Sequence, residues 1–316
     1  MARPQIEACV DRRAAWKKLT LPGFPKGMRY RVLSLDGDTG ACSLKVRYQP
    51  GYRSPGGMSY SELELFVLSG SIEAGGEQYG PGSYFFVPPG VVLPALSSPK
   101  GAQLLQYYNH GEPSFIASDS DHPQAERDRL KVINAYEDLE WGPPQTRPAV
   151  APGCLVKLLR RDPDSGAATF LYCLAPMFRQ DNVSFHDCAE ESYQISGTTW
   201  TMQFGDVPAG GYSWRPPYVN HGAFASRHGA LALGRTDGEL HNYFHFNPWS
   251  TPDENRRAAA RRLRQRRPAL CAAIAGGKRQ STRQLLRSTL PLHLVARDLG
   301  GLVAGRSYDD VGALLD

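Results

Sequence analysis

Two stretches, "ELELFVLSG" (residues 62–70) and "AEESYQISG" (residues 189–197), share one pattern: an acidic start, a β-rich middle and a Ser-Gly stop. Working outward, the match continues. Upstream, "DGDTGA" (36–41) faces "DPDSGA" (162–167). Downstream, "GPGSYFFVPPGVVL" (80–93) faces "PAGGYSWRPPYVNH" (208–221), with Pro88-Pro89 opposite Pro216-Pro217. Trp16 and Trp141 precede the two copies, and the offset between partners drifts by only a few residues along the whole length. Two copies of one domain are the simplest account of such self-similarity.

Each copy reads as strands. "SLKVRYQP" and "TFLYCLAP" are β-rich runs stopped by proline, "LELFVLSG" runs into a glycine turn, and "GSYFFVPP" ends where proline forbids further ladder pairing. Turn signals every eight to twelve residues or so point to an all-β sandwich or barrel. With 32 Gly and 25 Pro in 316 residues, the chain suits short strands better than long helices, and its length allows two domains with separate cores.

After Asn247-Pro248 the character changes to Ala, Leu and Arg at helical spacing, interrupted by Pro268 and Gly276-Gly277. The net charge of +5 is concentrated there, in "ENRRAAARRLRQRRPAL" and "GGKRQSTRQLLR". No base-reading motif accompanies it, so a solvated helical face is expected and nucleic acid is not expected as a partner. The six cysteines are scattered, with no CxxC pair and no secretory pattern ahead of them, which predicts reduced thiols and a cytoplasmic location. No apolar run approaches a membrane span, so no membrane partner is expected.

The paired motifs resemble the cupin signature, G-x5-HxH-x3-E-x6-G followed by G-x5-PxG-x2-H. In detail the chain resembles a bacterial bicupin group with "HDCxEE" and "RPP…HG" in its second half. The resemblance implies two tandem jelly-roll barrels with a C-terminal helical extension. The domains are an N-terminal cupin (1–115), a linker and leading strand (116–149), a C-terminal cupin (150–247) and a basic helical tail (248–316). A homodimer is expected.

Laid onto the first copy, the four ligand positions fall on Gly57, Ser59, Leu63 and Leu93, none of which holds a metal. Glu62 and Glu64 flank the site, but strand neighbours point to opposite faces. In the second copy the positions fall on Ser184, His186, Glu190 and His221. Two imidazoles and one carboxylate leave coordination positions open, the set suited to non-haem Fe(II), with Zn, Mn or Ni as alternatives. The triad resembles that of hydroxypropylphosphonate epoxidase. Cys188, on the parity of His186 and Glu190, is either a fourth ligand or a small buried apolar residue.

Alternation from Glu190 directs Ser192 and Gln194 toward the barrel interior and Glu191 away from it. Ser184, Arg215, His228 and Arg235 complete the candidate substrate-contacting set, the arginines as forks for an anionic group. His241 and His245 are read as structural. The leading function is an Fe(II)-dependent oxygenase acting on a small organic molecule. The alternatives are a Zn, Mn or Ni lyase, isomerase or cyclase, in which Glu191 or a pocket residue moves the proton, and a non-catalytic small-molecule or metal sensor.

Overall fold

The computed structural model describes residues 3–245 and five positions beyond them, Glu254, Arg257, Arg261, Gln265 and Pro268, which are helical and exposed. Pro268, expected as a breaker, is among the helical ones; the rest of the basic tail lies outside the described residues. Within residues 3–245 the helical turns are two short 3-10 turns, Asp11–Arg13 and Arg127–Arg129, and the remaining regular structure is strand. The fold is all-β, built as cupin-type jelly rolls. No described helix is long and apolar enough to cross a membrane. The five described cysteines are free thiols.

The described residues form two compact units: residues 3–4 with 11–138, and residues 5–10 with those from 139 onward. In the first, the main sheet runs in the order Lys131–Asn134, Ser83–Val87, Glu62–Gly70, Ala102–Asn109, Cys42–Tyr48, Met28–Leu35 and Lys17–Lys18. A smaller sheet holds Tyr52–Ser54, Leu96–Ser98, Ile72–Ala74 and Glu77–Tyr79. Period-two alternation is plain in Cys42–Tyr48. Cys42, Leu44, Val46 and Tyr48 enter the core, while Lys45 and Arg47 turn to the other face. Lys131–Asn134, within the stretch read as a linker, pairs on Ser83–Val87 from Ser83↔Asn134 to Phe86↔Lys131.

In the second unit the main path is Ile6–Val10, Gly211–Arg215, Glu190–Thr201, Ala230–Thr236, Ala168–Leu174 and Cys154–Arg161. Its first strand comes from the start of the chain: Ile6 pairs with Trp214 and Val10 with Gly211. Residues 5–10, read from the sequence with the first domain, therefore belong to the second unit's sheet. Edge pairing between distant segments leaves no local pattern, because a five-residue strand carries its β-propensity but not its partner.

The duplication is visible contact by contact. Asp36 accepts backbone N–H bonds from Asp38 and Thr39, and Asp162 accepts them from Asp164 and Ser165. Both turns close on a glycine at φ +75°, Gly40 and Gly166, where a Cβ would come within 3.0 Å of Glu112 or Glu239. The Arg31 guanidinium lies 4.4 Å over Trp16, and the Lys157 ammonium 5.0 Å over Trp141. Tyr84 donates to Glu64 at 2.6 Å, and Tyr212 donates to Glu191 at 2.6 Å.

Candidate metal centre and its cavity

The second-unit motif is drawn together by backbone bonds. Ser184–Phe185 pairs with Tyr243–Phe244, and Ser184 and His221 exchange both N–H···O bonds at 2.8 Å. The Tyr218 N–H reaches the His186 carbonyl at 2.8 Å, and the Asp237 carboxylate accepts the Ala189 N–H at 2.7 Å. His186 is thereby fixed beside His221, with Glu190 opening the long central strand Glu190–Thr201.

His186 Nε2 and His221 Nε2 lie 3.1 Å apart; Glu190 Oε2 is 3.5 Å from His221 Nε2, and Glu190 Oε1 is 4.0 Å from His186 Nε2. Each Nδ1 lies 2.8 Å from a backbone carbonyl, His241 O for His186 and Val219 O for His221. A carbonyl only accepts, so each Nδ1 carries a proton, and in a neutral ring that leaves Nε2 with its lone pair. Burial, opposed by the Glu190 charge and assisted by Arg215 and His186, pushes His221 down to about 4 and keeps it neutral at neutral pH. Burial raises the Glu190 carboxyl, but the charges that His186 and His221 carry when protonated, together with Arg215, outweigh it and hold the group down at about 2. Two lone pairs and a carboxylate oxygen thus converge on one point. That arrangement is repulsive by itself and complementary to a cation.

Arg215 connects this cluster to the start of the chain. Its Nη1 donates to Glu190 Oε2 at 3.0 Å and its Nε donates to Glu7 Oε1 at 2.8 Å. The guanidinium is buried, and two carboxylates compensate it. Glu7 was missed in the sequence because it precedes both repeats and has no motif around it. Arg215 was found there as a candidate for contacting an anionic substrate, but here its fork is occupied by the protein's own carboxylates.

The cluster lies on the wall of a cavity of about 420 Å³, lined mainly by apolar groups that include Val156, Phe170, Leu174, Phe178 and Phe224. Ser184 lines it beside His186. Other sequence candidates lie elsewhere. Ser192 and Gln194 share the Glu190 face but border a smaller hollow of about 60 Å³ with Tyr172 and Arg215. Ser192 Oγ is bonded to the Tyr172 hydroxyl at 2.8 Å. The Gln194 amide donates to the Ser196 and Leu231 carbonyls and accepts from Thr199, which uses both of its N–H donors. Arg235 sits opposite Glu191 in register and donates to it at 2.6 Å, on the face away from the cavity. His228 is exposed in the turn between Phe224–Ser226 and Ala230–Thr236. Cys188 is buried and outside the donor cluster, with its thiol pushed up to about 12 by burial. Glu191 is buried between Tyr212 and Arg235, so the proton-moving role considered for it has no access to the cavity.

The first unit has the same frame without the donors. Gly57 and Leu93 exchange the bonds that Ser184 and His221 exchange, at 3.0 and 2.9 Å. Its interior cavity is about 70 Å³, bordered by Gly57, Ser59, Leu63 and Leu93 together with Tyr48, Tyr52 and Tyr108. Tyr48 and Tyr52 stack at 4.1 Å, and the Gln106 amide donates to the Tyr48 hydroxyl at 2.9 Å. Among the described residues, His186, Glu190 and His221 are the only group of at least three such side chains placed to hold a metal ion.

A family model described as "Domain of unknown function (DUF4437)" matches residues 11–243. The chain belongs to the DUF4437 family. The DUF4437 match spans both barrels and includes all three donor residues. Among curated proteins, none matches the chain. Among solved structures, the chain is similar to one from Nostoc punctiforme described as a "putative dioxygenase". The identity is 21%, over 78% of this chain and 87% of that one, with a TM-score of 0.67. A "Putative Glyoxylate Induced Protein" from Pseudomonas aeruginosa matches at 19% identity over 73% and 87% of the two chains, with a TM-score of 0.50. At these identities the likeness establishes the fold.

Proposed function

We propose that the chain is a metal-dependent oxygenase, with Fe(II) held by His186, Glu190 and His221 and an organic substrate bound in the second barrel. The observation that carries this reading is the convergence of two imidazole Nε2 atoms and a carboxylate oxygen at the wall of an apolar cavity. Three protein donors leave positions for water, substrate or dioxygen, whereas a closed structural site takes four. When bound, Fe(II) supplies Lewis acidity and redox chemistry toward dioxygen. The protein's own groups set the conditions. The His241 and Val219 carbonyls hold the imidazole tautomers, Arg215 keeps Glu190 anionic, and the apolar walls exclude bulk water. The first barrel, lacking donors and nearly filled, is proposed as a structural unit, and the cytoplasmic homodimer is proposed with it.

Elemental analysis of protein purified without added metal tests the site. About one metal ion per chain is expected, and none in the double variant His186→Ala/His221→Ala. A second equivalent, or metal retained by the double variant, overturns the assignment. Dioxygen uptake by iron-loaded protein tests the chemistry; turnover with Zn, Mn or Ni and no dioxygen consumption would replace the oxygenase reading with a lyase or isomerase.

A further inference from the structure

One row of residues crosses the second unit's sheet in register: Arg161 opposite Ala168, Ala168 opposite Thr236, and Thr236 opposite Glu190. Directly opposed residues on antiparallel strands present their side chains on one face, and all four border the 420 Å³ cavity. Arg161 ends the strand Cys154–Arg161, the last on the main path of the sheet and three strands from Glu190, about 14 Å along the sheet at the usual strand spacing. The same row in the first unit is Leu35, Cys42, Tyr108 and Leu63. Compared with it, the second unit carries a charged residue at each end and smaller residues between them. The row becomes a trough with the candidate metal ligand at one end and a guanidinium at the other.

The Arg161 end has the features of an anion site. Arg161 also borders a second, open hollow with Arg147, Gln145, His241 and Glu239. Arg147 is held there by a backbone bridge to His241, and its carbonyl accepts the Asn242 N–H at 3.1 Å. Both arginines are exposed, and among the described residues neither guanidinium has a hydrogen-bond or ion-pair partner. The other arginines on the main path of this sheet, Arg160, Arg215 and Arg235, are each paired with a carboxylate of the protein. Glu239 is the one carboxylate bordering the second hollow, so two guanidiniums leave it with a net positive charge. An unpaired, accessible fork fits a ligand carboxylate.

We infer that the second barrel takes an apolar monocarboxylic acid, with its carboxylate at Arg161, assisted by Arg147, and its hydrocarbon body lying along Ala168 and Thr236 toward Glu190. The inference rests on the proposed function for which end reacts, the one remote from the carboxylate, but not for whether the acid binds. Small acids lack the apolar body that the walls require, and a neutral molecule of the same shape leaves the guanidinium without a charged partner.

Calorimetric titration of 4-phenylbutyrate into metal-loaded and metal-free protein at low salt tests this, with 4-phenylbutyramide and acetate as contrasts. The acid is expected to bind at least about fivefold more tightly than either contrast, the range for a charge pair that stays partly hydrated, and the preference should shrink as salt is raised. Arg161→Leu, which copies Leu35 of the first barrel, is expected to weaken the acid about fivefold and to leave the amide, the metal content and Tm unchanged. Arg161→Lys should restore part of the preference, because it returns the charge without the fork, and Arg147→Gln should weaken the acid about twofold. Parent protein that binds none of the three, or the acid no better than the amide, overturns the inference. So does an Arg161→Leu variant that keeps the parent's preference for the acid. Arg161-dependent binding of the acid by protein that takes up no metal overturns the metal assignment and supports this inference; a metal-loaded protein indifferent to Arg161 does the reverse.

Discussion

The two barrels differ most where they are most alike. The central strand of each carries a glutamate facing away from the interior, Glu64 or Glu191, and each accepts a hydrogen bond from the matching tyrosine at 2.6 Å. One residue earlier, on the inner face, the first barrel has Leu63 and the second has Glu190. The outer face keeps a buried carboxylate paired in both copies, while the inner face has diverged into a nearly filled core and an open cavity with converging donors. Maintaining the fold constrains the outer pair, because an unpaired buried carboxylate is strongly destabilising in either barrel. The inner face tolerates either solution as long as volume is filled or a ligand occupies it.

The largest effect is expected from Ser184→His. Ser184 matches Gly57 in the backbone bridge and lines the cavity beside His186. A third imidazole there should tighten metal binding by about tenfold or more and lower turnover by closing a coordination position. A competition assay with a chelator measures the first and steady-state kinetics the second. Unchanged affinity and turnover would mean that residue 184 does not face the metal.

Glu7→Gln is expected to weaken metal binding by about tenfold, the usual range for losing a group that supports a ligand. Without Glu7, the Arg215 charge is compensated by Glu190 alone and opposes a cation at the same carboxylate. The first barrel has no such arrangement, so its stability should be indifferent to the change. Metal affinity equal to the parent's would reduce Glu7 to a packing residue.

The pH dependence of the metal-free protein should reflect the second barrel. His221 has its folded pKa depressed from 6.5 to about 4, so the unfolded chain binds the extra proton between those values. Its contribution is present above about pH 6.5 and is lost as pH falls toward 4. Glu190, depressed from 4.5 to about 2, adds a second loss below about pH 4.5. Thermal unfolding across this range should show a falling Tm that His221→Asn flattens in its upper part.

The smallest effect on the metal is expected from the matched pair Tyr84→Phe and Tyr212→Phe. Each removes one charge-assisted bond to a buried carboxylate and should cost about 1.5–3 kcal/mol in denaturant titration, with metal content unchanged in both. Loss of metal in the Tyr212 variant alone would show that the outer pair of the second barrel also holds its centre in place.

Much of this was legible in the chain. The repeat, the proline stops and the turn aspartates placed the strands, and the spacing His-x3-Glu with a distant histidine placed three donors that the structure brings within 4.8 Å of one another. Strand parity separated Glu190 from Glu191 correctly. It could not choose between Arg215 and Arg235, because parity names a face only after register is known. Arg215 stands opposite Glu190 and Arg235 opposite Glu191, so two arginines on the strands either side of Glu190–Thr201 point to opposite sides of one sheet. Gln194 was placed on the correct face, but its three hydrogen bonds come from residues whose approach no local pattern records.

By itself the sequence determined the duplicated all-β plan and singled out the three candidate donor residues, because periodicity, turn chemistry and motif spacing are local properties of the chain. Tertiary structure alone decided that Glu7 compensates Arg215 across 208 residues of chain, that Thr236 stands opposite Glu190 as Tyr108 stands opposite Leu63, and that the donor atoms converge. These depend on which strands lie side by side and in what register. Such pairings are selected by the packing of the whole barrel, and no single segment encodes them.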